Sequence, residues 1–104
     1  KNGGDTHKDT LLLYRSGMDV EGIAKARSLT ANTVAGHFTK LIAEGEVSIN
    51  ELLAEDKQQA IRDAVLLTDA EERRLSTIKE RLGDRYDWNE IKWVLAEMER
   101  DSDL

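Results

Sequence analysis

Apolar residues recur along this chain at helical spacing, and no segment shows the strict alternation of a β-strand. The three clearest sets lie in the second half and are Ile61, Ala64 and Val65; Leu75, Ile78 and Leu82; and Trp88, Ile91, Val94, Leu95 and Met98. Side chains at this spacing share one face of an amphipathic helix. We therefore expect them to form the core of an all-α domain.

The first half of the chain predicts three helices. The first is expected over residues 6–16, where it ends at Gly17, a residue suited to the left-handed conformation after a helix. Its three successive leucines make an apolar band wider than one stripe, which predicts a central helix contacted from several sides. A second helix is expected over 19–27 and a third over 30–44, with Asp19 and Thr30 as their N-caps.

The second half contains three further helix starts, each with a capping residue followed by an acid three positions later: Ser48 with Glu51, Thr68 with Glu71, and Asp87 with Glu90. This predicts about six helices, the second and third forming a helix-turn-helix that packs on a C-terminal helical half. The expected organisation is a flexible linker at 1–5, the helix-turn-helix unit at 6–47, a helical half sharing the core at 48–100, and a frayed tail at 101–104. The opening "KNGG", without an initiator methionine, suggests a piece of a longer protein.

The stretch "IAKARSLTANTVAGHF", residues 23–38, has the spacing of a helix-turn-helix. Such a motif needs a small residue where the helices touch, an apolar residue in the turn and apolar anchors in the second helix. Ala24, Leu29 and Val34 fill these positions at intervals of five residues. The turn position that is often glycine is Ser28 here, and polar residues do sometimes adopt positive φ, at some energetic cost.

Candidate DNA contacts lie on the outward face of the third helix and at the end of the second: Lys25, Arg27, Thr30, Asn32, Thr33, Gly36, His37 and Lys40. An asparagine such as Asn32 can pair bidentately with adenine, and a threonine such as Thr33 can contact a phosphate or a thymine methyl. Lys25 and Arg27 are placed to hold the DNA backbone.

A protein contact is the open alternative. Ala35 and Gly36 present almost no side chain, so another backbone, of DNA or of a protein helix, can approach them closely. Trp93 lies off the apolar stripe of its helix, where an amphipathic helix would expose it. We expect Trp93 to be buried between the two halves, and the alternative is a docking anchor for a protein partner.

Charge limits where DNA could bind. The net charge is −6, but residues 1–54 hold six Lys/Arg against seven Asp/Glu, and residues 55–104 hold nine against fourteen. A nucleic-acid face is therefore expected in the first half, with modest, salt-sensitive affinity.

With no cysteine, two histidines and no GxxxxGK[ST] loop, we expect neither a metal site, a cofactor nor catalysis in this chain. No membrane span or signal peptide is predicted.

The order of these segments resembles the helix-turn-helix domain at the C-terminus of some bacterial RecQ-family DNA helicases. The likeness rests on the Leu-rich first helix closed by Gly17, the unit "IAKARSLTANTVAGHF", the link "EGEVSI" and the later "YDWNEIKWVLAEME", so it spans nearly the whole chain. Its individual motifs are only moderately specific, since many regulators share the "IA…TV" pattern.

The resemblance implies an accessory DNA-binding module of an ATP-dependent helicase. The parent enzyme would use ATP and Mg²⁺, act in DNA repair and recombination, and lie in the bacterial cytoplasm at the nucleoid. The implied partners are DNA and the remaining helicase domains, without a membrane. A packing module within the helicase, or the DNA-binding domain of a transcription regulator, stays open as an alternative.

Overall fold

The computed structural model describes residues 6–101, which form an all-α fold without a β-strand in that range. Its helices are α1 (Thr6–Arg15), α2 (Val20–Arg27), α3 (Ala31–Ala43), α4 (Glu55–Leu67), α5 (Leu75–Leu82) and α6 (Trp88–Arg100), with one-turn 3₁₀ helices at Ile49–Glu51, Ala70–Glu72 and Gly83–Arg85. The predicted fold class is confirmed. The predicted linker 1–5 and tail residues 102–104 lie outside the described residues.

Helix boundaries in the first half follow the predicted caps. The Asp19 carboxylate accepts a hydrogen bond from the backbone N–H of Gly22 at 2.7 Å. The Thr30 hydroxyl accepts one from the backbone N–H of Thr33 at 3.1 Å. Gly17 adopts a φ of +107° after α1, which a residue with a Cβ atom rarely does. Local side-chain chemistry thus determines where α1 ends and where α2 and α3 begin.

Two predicted helix starts in the second half need correction. Ser48 forms its capping box with Glu51, but the box caps only a one-turn 3₁₀ helix, and α4 begins at Glu55. Thr68 does not begin a helix but is the C-cap of α4. Its buried hydroxyl donates back to the carbonyl of Ala64 at 2.8 Å and accepts from Arg81 at 3.1 Å, so it closes α4. The box of Asp87 with Glu90 is confirmed at the start of α6.

The central pair of the fold is α3 and α6, which pack more extensively on each other than any other two helices. Helices α1 and α2 pack on α3, whereas α4 and α5 pack on α6. The prediction that α1 is the central helix is therefore wrong. Its leucine band is split, because Leu11 and Leu13 pack against the core while Leu12 is 69% exposed.

Three contacts show that α3 and α6 run side by side in the same direction. Asn89 meets Asn32 near the start of both helices, and Trp93 meets Ala35 one turn later. At the far end, a Cβ atom on Gly45 would lie 3.3 Å from the Arg100 guanidinium. Helix α6 therefore lies along the flank of α3 over most of its length.

A single hydrophobic cluster joins both halves, with Ile23, Val34, Phe38 and Leu41 from the first and Ile61, Val65, Ile78, Ile91 and Met98 from the second. Trp88 was expected in this core, but it is 44% exposed. It is the first residue of α6, and the Lys79 ammonium lies 5.8 Å from its ring centroid. None of the described helices has the length and apolar character to cross a membrane.

Candidate nucleic-acid interface

The turn between α2 and α3 has the geometry that the sequence spacing predicts. Ser28 adopts a left-handed conformation with φ 58° and ψ 41°. The N–H of Leu29 bonds to the carbonyl of Ala24 at 2.8 Å, and the N–H of Ser28 bonds to that of Lys25 at 3.3 Å. This pair of bonds closes a helix in the way a glycine usually does. The small, buried Ala24 lies at this turn, so α2 can cross close to α3.

One face of α3 is buried and the opposite face is open. The buried side chains are Val34, Ala35, Phe38, Leu41 and Ile42. The exposed residues include Asn32, Thr33, Gly36 and Lys40, and a lysine on α2, Lys25, is exposed as well. Lys25 and Lys40 make no hydrogen bond or ion pair with the described residues. The open face of α3 therefore offers one unpaired cation, Lys40, and the exposed Lys25 on α2 is a second in this acidic molecule.

Arg27 does not lie with these cations. Its guanidinium donates to the Thr10 hydroxyl on α1 at 2.8 Å and lies 3.6 Å from the Asp9 carboxylate. The side chain is only 19% exposed. Sequence reasoning placed Arg27 at a DNA phosphate, whereas the structure places it in the contact between α1 and α2. Periodicity within α2 could not reveal this, because the partners come from another helix.

His37 belongs to the same buried network as Arg27. Its Nδ1 lies 2.7 Å from the Thr10 hydroxyl. Because that hydroxyl already accepts from Arg27, its own hydrogen is available for Nδ1, which favours a neutral imidazole. Burial lowers the pKa of His37, and the positive charges of Arg27, His7 and Lys40 lower it further. His37 therefore joins α3 to α1 instead of facing DNA with its charge.

We expect the pKa of the His37 imidazole to lie below 6.5, the ordinary value for histidine. An unfolded chain then binds the proton more readily than the folded one, so stability is fully present above pH 6.5 and falls as pH drops through the folded pKa. NMR titration of the ring protons measures the midpoint directly. His37→Gln should lose less stability than wild type between neutral and mildly acidic pH. A midpoint at or above 6.5 would contradict the network.

A second histidine contact was not predicted from the sequence. His7, buried near the start of α1, has its Nε2 3.1 Å from both carboxylate oxygens of Glu44, which caps the end of α3. Two side-chain pairs thus fasten α1 along α3. Among residues 6–101, no three His, Cys, Asp or Glu side chains are grouped to hold a metal ion.

The side chains of Asn32 and Thr33 also form hydrogen bonds within the protein. The Asn32 side-chain oxygen accepts from the amide of Asn89 on α6 at 3.0 Å. A bidentate contact with adenine needs this oxygen as well as the NH₂ group, so it would require Asn89 to release it. The Thr33 hydroxyl lies 2.8 Å from that of Thr30, inside the cap of α3. Base recognition by this helix is therefore restricted.

Trp93 is buried, as expected, with 8% of its surface exposed. Its indole N–H donates to the carbonyl of Ala35 at 3.0 Å, so α6 is the protein helix that approaches the small residues of α3. Trp93 and Ala35 are both buried in this contact between α3 and α6, so they do not form an outer docking surface. Gly36 stays open, since a Cβ atom there would meet nothing within 4 Å.

A groove between α3 and α6 contains a cation that sequence reasoning missed. Its walls include Gly36 and Lys40 on one side and Lys92 on the other. Lys92 is exposed and makes no hydrogen bond or ion pair with residues 6–101, but it lies in the acidic half, where no DNA contact was expected. Only the parallel packing of α6 brings it beside α3.

Comparison with known proteins adds one match. A family model described as "Helix-turn-helix domain" matches residues 6–95. No curated protein matches the chain, and no solved structure does. The matched range begins with α1 and ends within α6, so it includes the turn at Ser28 and both helices of the central pair.

Proposed function

The chain belongs to the helix-turn-helix domain family, and from this membership we propose that it is a DNA-binding module with weak, largely backbone-directed affinity. The observation that carries the proposal is the open face of α3, where Lys40 is exposed and unpaired within the described residues, as is Lys25 on the preceding helix. Phosphate contacts by lysine give affinity without sequence preference. The net charge of −6 keeps that affinity modest.

Contacts around α3 favour the DNA backbone over base edges. With α6 along one flank and α1 along the other, α3 does not project as a free helix. Asn32, the best candidate for base contact, is already bonded to Asn89. A helix that is flanked in this way can approach phosphates from outside a groove more easily than it can enter the major groove, which is about 12 Å wide.

The finer proposal concerns the parent protein. Following the resemblance of its segments, the chain serves as an accessory C-terminal module of a RecQ-like helicase and holds DNA while ATP- and Mg²⁺-dependent motor domains work. The sequence preceding this chain in its gene tests that parentage. A GxxxxGK[ST] loop and a DExH-type box upstream would support a helicase, and an effector domain instead would favour a transcription regulator.

A protein-contact module is the second candidate, favoured by large exposed apolar side chains. Leu12 on α1 and Leu67 at the end of α4 are 69% and 72% exposed. Leu66, adjacent to Leu67, is 50% exposed as well, and contiguous exposed apolar residues often mark contact surfaces. Under this candidate these leucines, not Trp93, would face the other domains of the parent chain.

Titration of the protein against labelled duplex, forked and single-stranded DNA tests the proposal. We expect weak binding at about 50 mM salt, because few cations meet phosphate, and a further loss of roughly 10-fold by about 200 mM, because two phosphate contacts give a salt slope of about 1.8. Replacing both Lys25 and Lys40 by glutamate should abolish it and leave the fold intact, since both side chains are exposed. A matched reversal of Arg74 and Arg85, exposed residues of the second half, serves as control. Absence of binding by wild type would overturn the proposal and favour the protein-contact module.

A further inference from the structure

We infer that the groove between α3 and α6 is a binding site for the DNA phosphate backbone, held by Lys40 from one helix and Lys92 from the other. The inference rests on the proposed DNA-binding function and extends it to α6, outside the helix-turn-helix. The groove has a volume of about 520 Å³. Its lining combines small or apolar residues with these two lysines and one acid.

The shape of the groove follows from small residues along both helices. Gly36 and Ala43 line it from α3, and Ala96 lines it from α6. The space above Gly36 is open, since a Cβ atom there would contact nothing within 4 Å. A polymer backbone can therefore approach α3 at Gly36 more closely than at any residue with a side chain.

The charges of the groove distinguish a phosphate strand from other occupants. Lys40 and Lys92 make no ion pair or hydrogen bond with residues 6–101, unlike two lysines elsewhere on the surface. Lys57 pairs with Glu90 at 3.2 Å, and Lys79 lies 3.9 Å from Asp84. Unpaired ammonium groups on two walls of one groove are suited to an anionic chain. An uncharged apolar helix would gain nothing from them.

The charge of the groove lining changes from one end to the other. Glu99 lines it two helical turns beyond Lys92, a distance of about 11 Å along α6. Because the helices run in parallel, Gly36 lies towards Lys92 and Ala43 towards Glu99. Phosphates would therefore be bound at the Gly36 end and repelled at the Ala43 end.

Salt-dependent DNA titration of single variants tests this site. Lys92→Gln and Lys40→Gln should each weaken binding several-fold and reduce the slope of log affinity against log salt by about 0.9 for duplex or about 0.7 for single-stranded DNA. For duplex DNA, the ratio of wild-type to variant affinity should then shrink by about 3-fold between 50 and 200 mM salt. Lys57→Gln removes the same charge from α4, outside the lining of the groove, and should change neither quantity.

Two further variants test the shape and direction of the groove. Gly36→Ala should raise helix stability, because alanine is the better helix former and its methyl group meets open space, yet it should weaken DNA binding. Glu99→Gln should strengthen binding.

The outcomes separate the two proposals. If wild type binds no DNA, the proposed function fails and the groove inference fails with it. If wild type binds but Lys92→Gln behaves like Lys57→Gln, the groove inference alone is overturned, and the DNA lies on the Lys25 side of α3. If Lys92→Gln weakens binding but Gly36→Ala does not, the DNA strand does not pass close to Gly36. That result would overturn the proposed course of the strand along the groove.

Discussion

Replacing Trp93 by alanine should lower the free energy of unfolding by about 3–5 kcal/mol, the range for truncation of large buried aromatic residues. The indole fills the contact between α3 and α6, where its N–H donates to the Ala35 carbonyl at 3.0 Å. Truncation would remove that bond and leave a cavity between the two central helices. Urea unfolding followed by circular dichroism measures the loss.

Trp88→Ala is the matched control for this experiment. It removes the same side chain from the same helix, but at a position that is 44% exposed. Its main loss is the contact with Lys79, worth about 0.5–1 kcal/mol at an exposed site. Equal effects of the two substitutions would mean that Trp93 does not hold α6 on α3. Near-wild-type stability of Trp93→Ala would restore the docking interpretation of this residue.

Replacing Arg27 by glutamate should destabilise the fold by about 2–3 kcal/mol, as expected for loss of a hydrogen bond made by a charged group. The guanidinium donates to the buried Thr10 hydroxyl and lies 3.6 Å from Asp9, so a carboxylate there would leave Thr10 without its donor and face a like charge. Thermal and urea unfolding measure this effect without any DNA present.

Lys25→Glu provides the comparison, because it reverses a charge two residues away on an exposed side chain. Its stability should stay within about 0.5 kcal/mol of wild type, as is usual for surface substitutions. Loss of DNA binding by the Arg27 variant would then report unfolding, whereas loss by the Lys25 variant would report a DNA contact. A fully stable Arg27→Glu protein would show that the link to α1 is unimportant.

Local sequence signals determined much of the fold. The caps at Asp19, Thr30 and Asp87 each need one side chain and a backbone N–H two or three residues away, so they are visible in a short stretch of sequence. The spacing of Ala24, Leu29 and Val34 predicted the helix-turn-helix for the same reason. Thr68 misled because a threonine that closes one helix has the same local pattern as one that opens the next.

The candidate interface depended on which helices meet, and a sequence pattern does not contain that information. Arg27 and His37 had the positions of DNA contacts within their own helices, but both are held by Thr10 on α1. Lys92 appeared to belong to an acidic half remote from DNA, until the packing of α6 placed it across a groove from α3.

Periodicity shows which face of a helix is buried, and capping shows where the helix begins. Both are properties of residues within a few positions of each other, so the sequence alone determined the all-α class and the motif at residues 23–38. The partner of each buried face depends on long-range packing, which minimises exposed apolar area over the whole chain. Only the tertiary structure therefore decided that α3 and α6 pack in parallel. The open face of α3 and the groove beside it both follow from that packing.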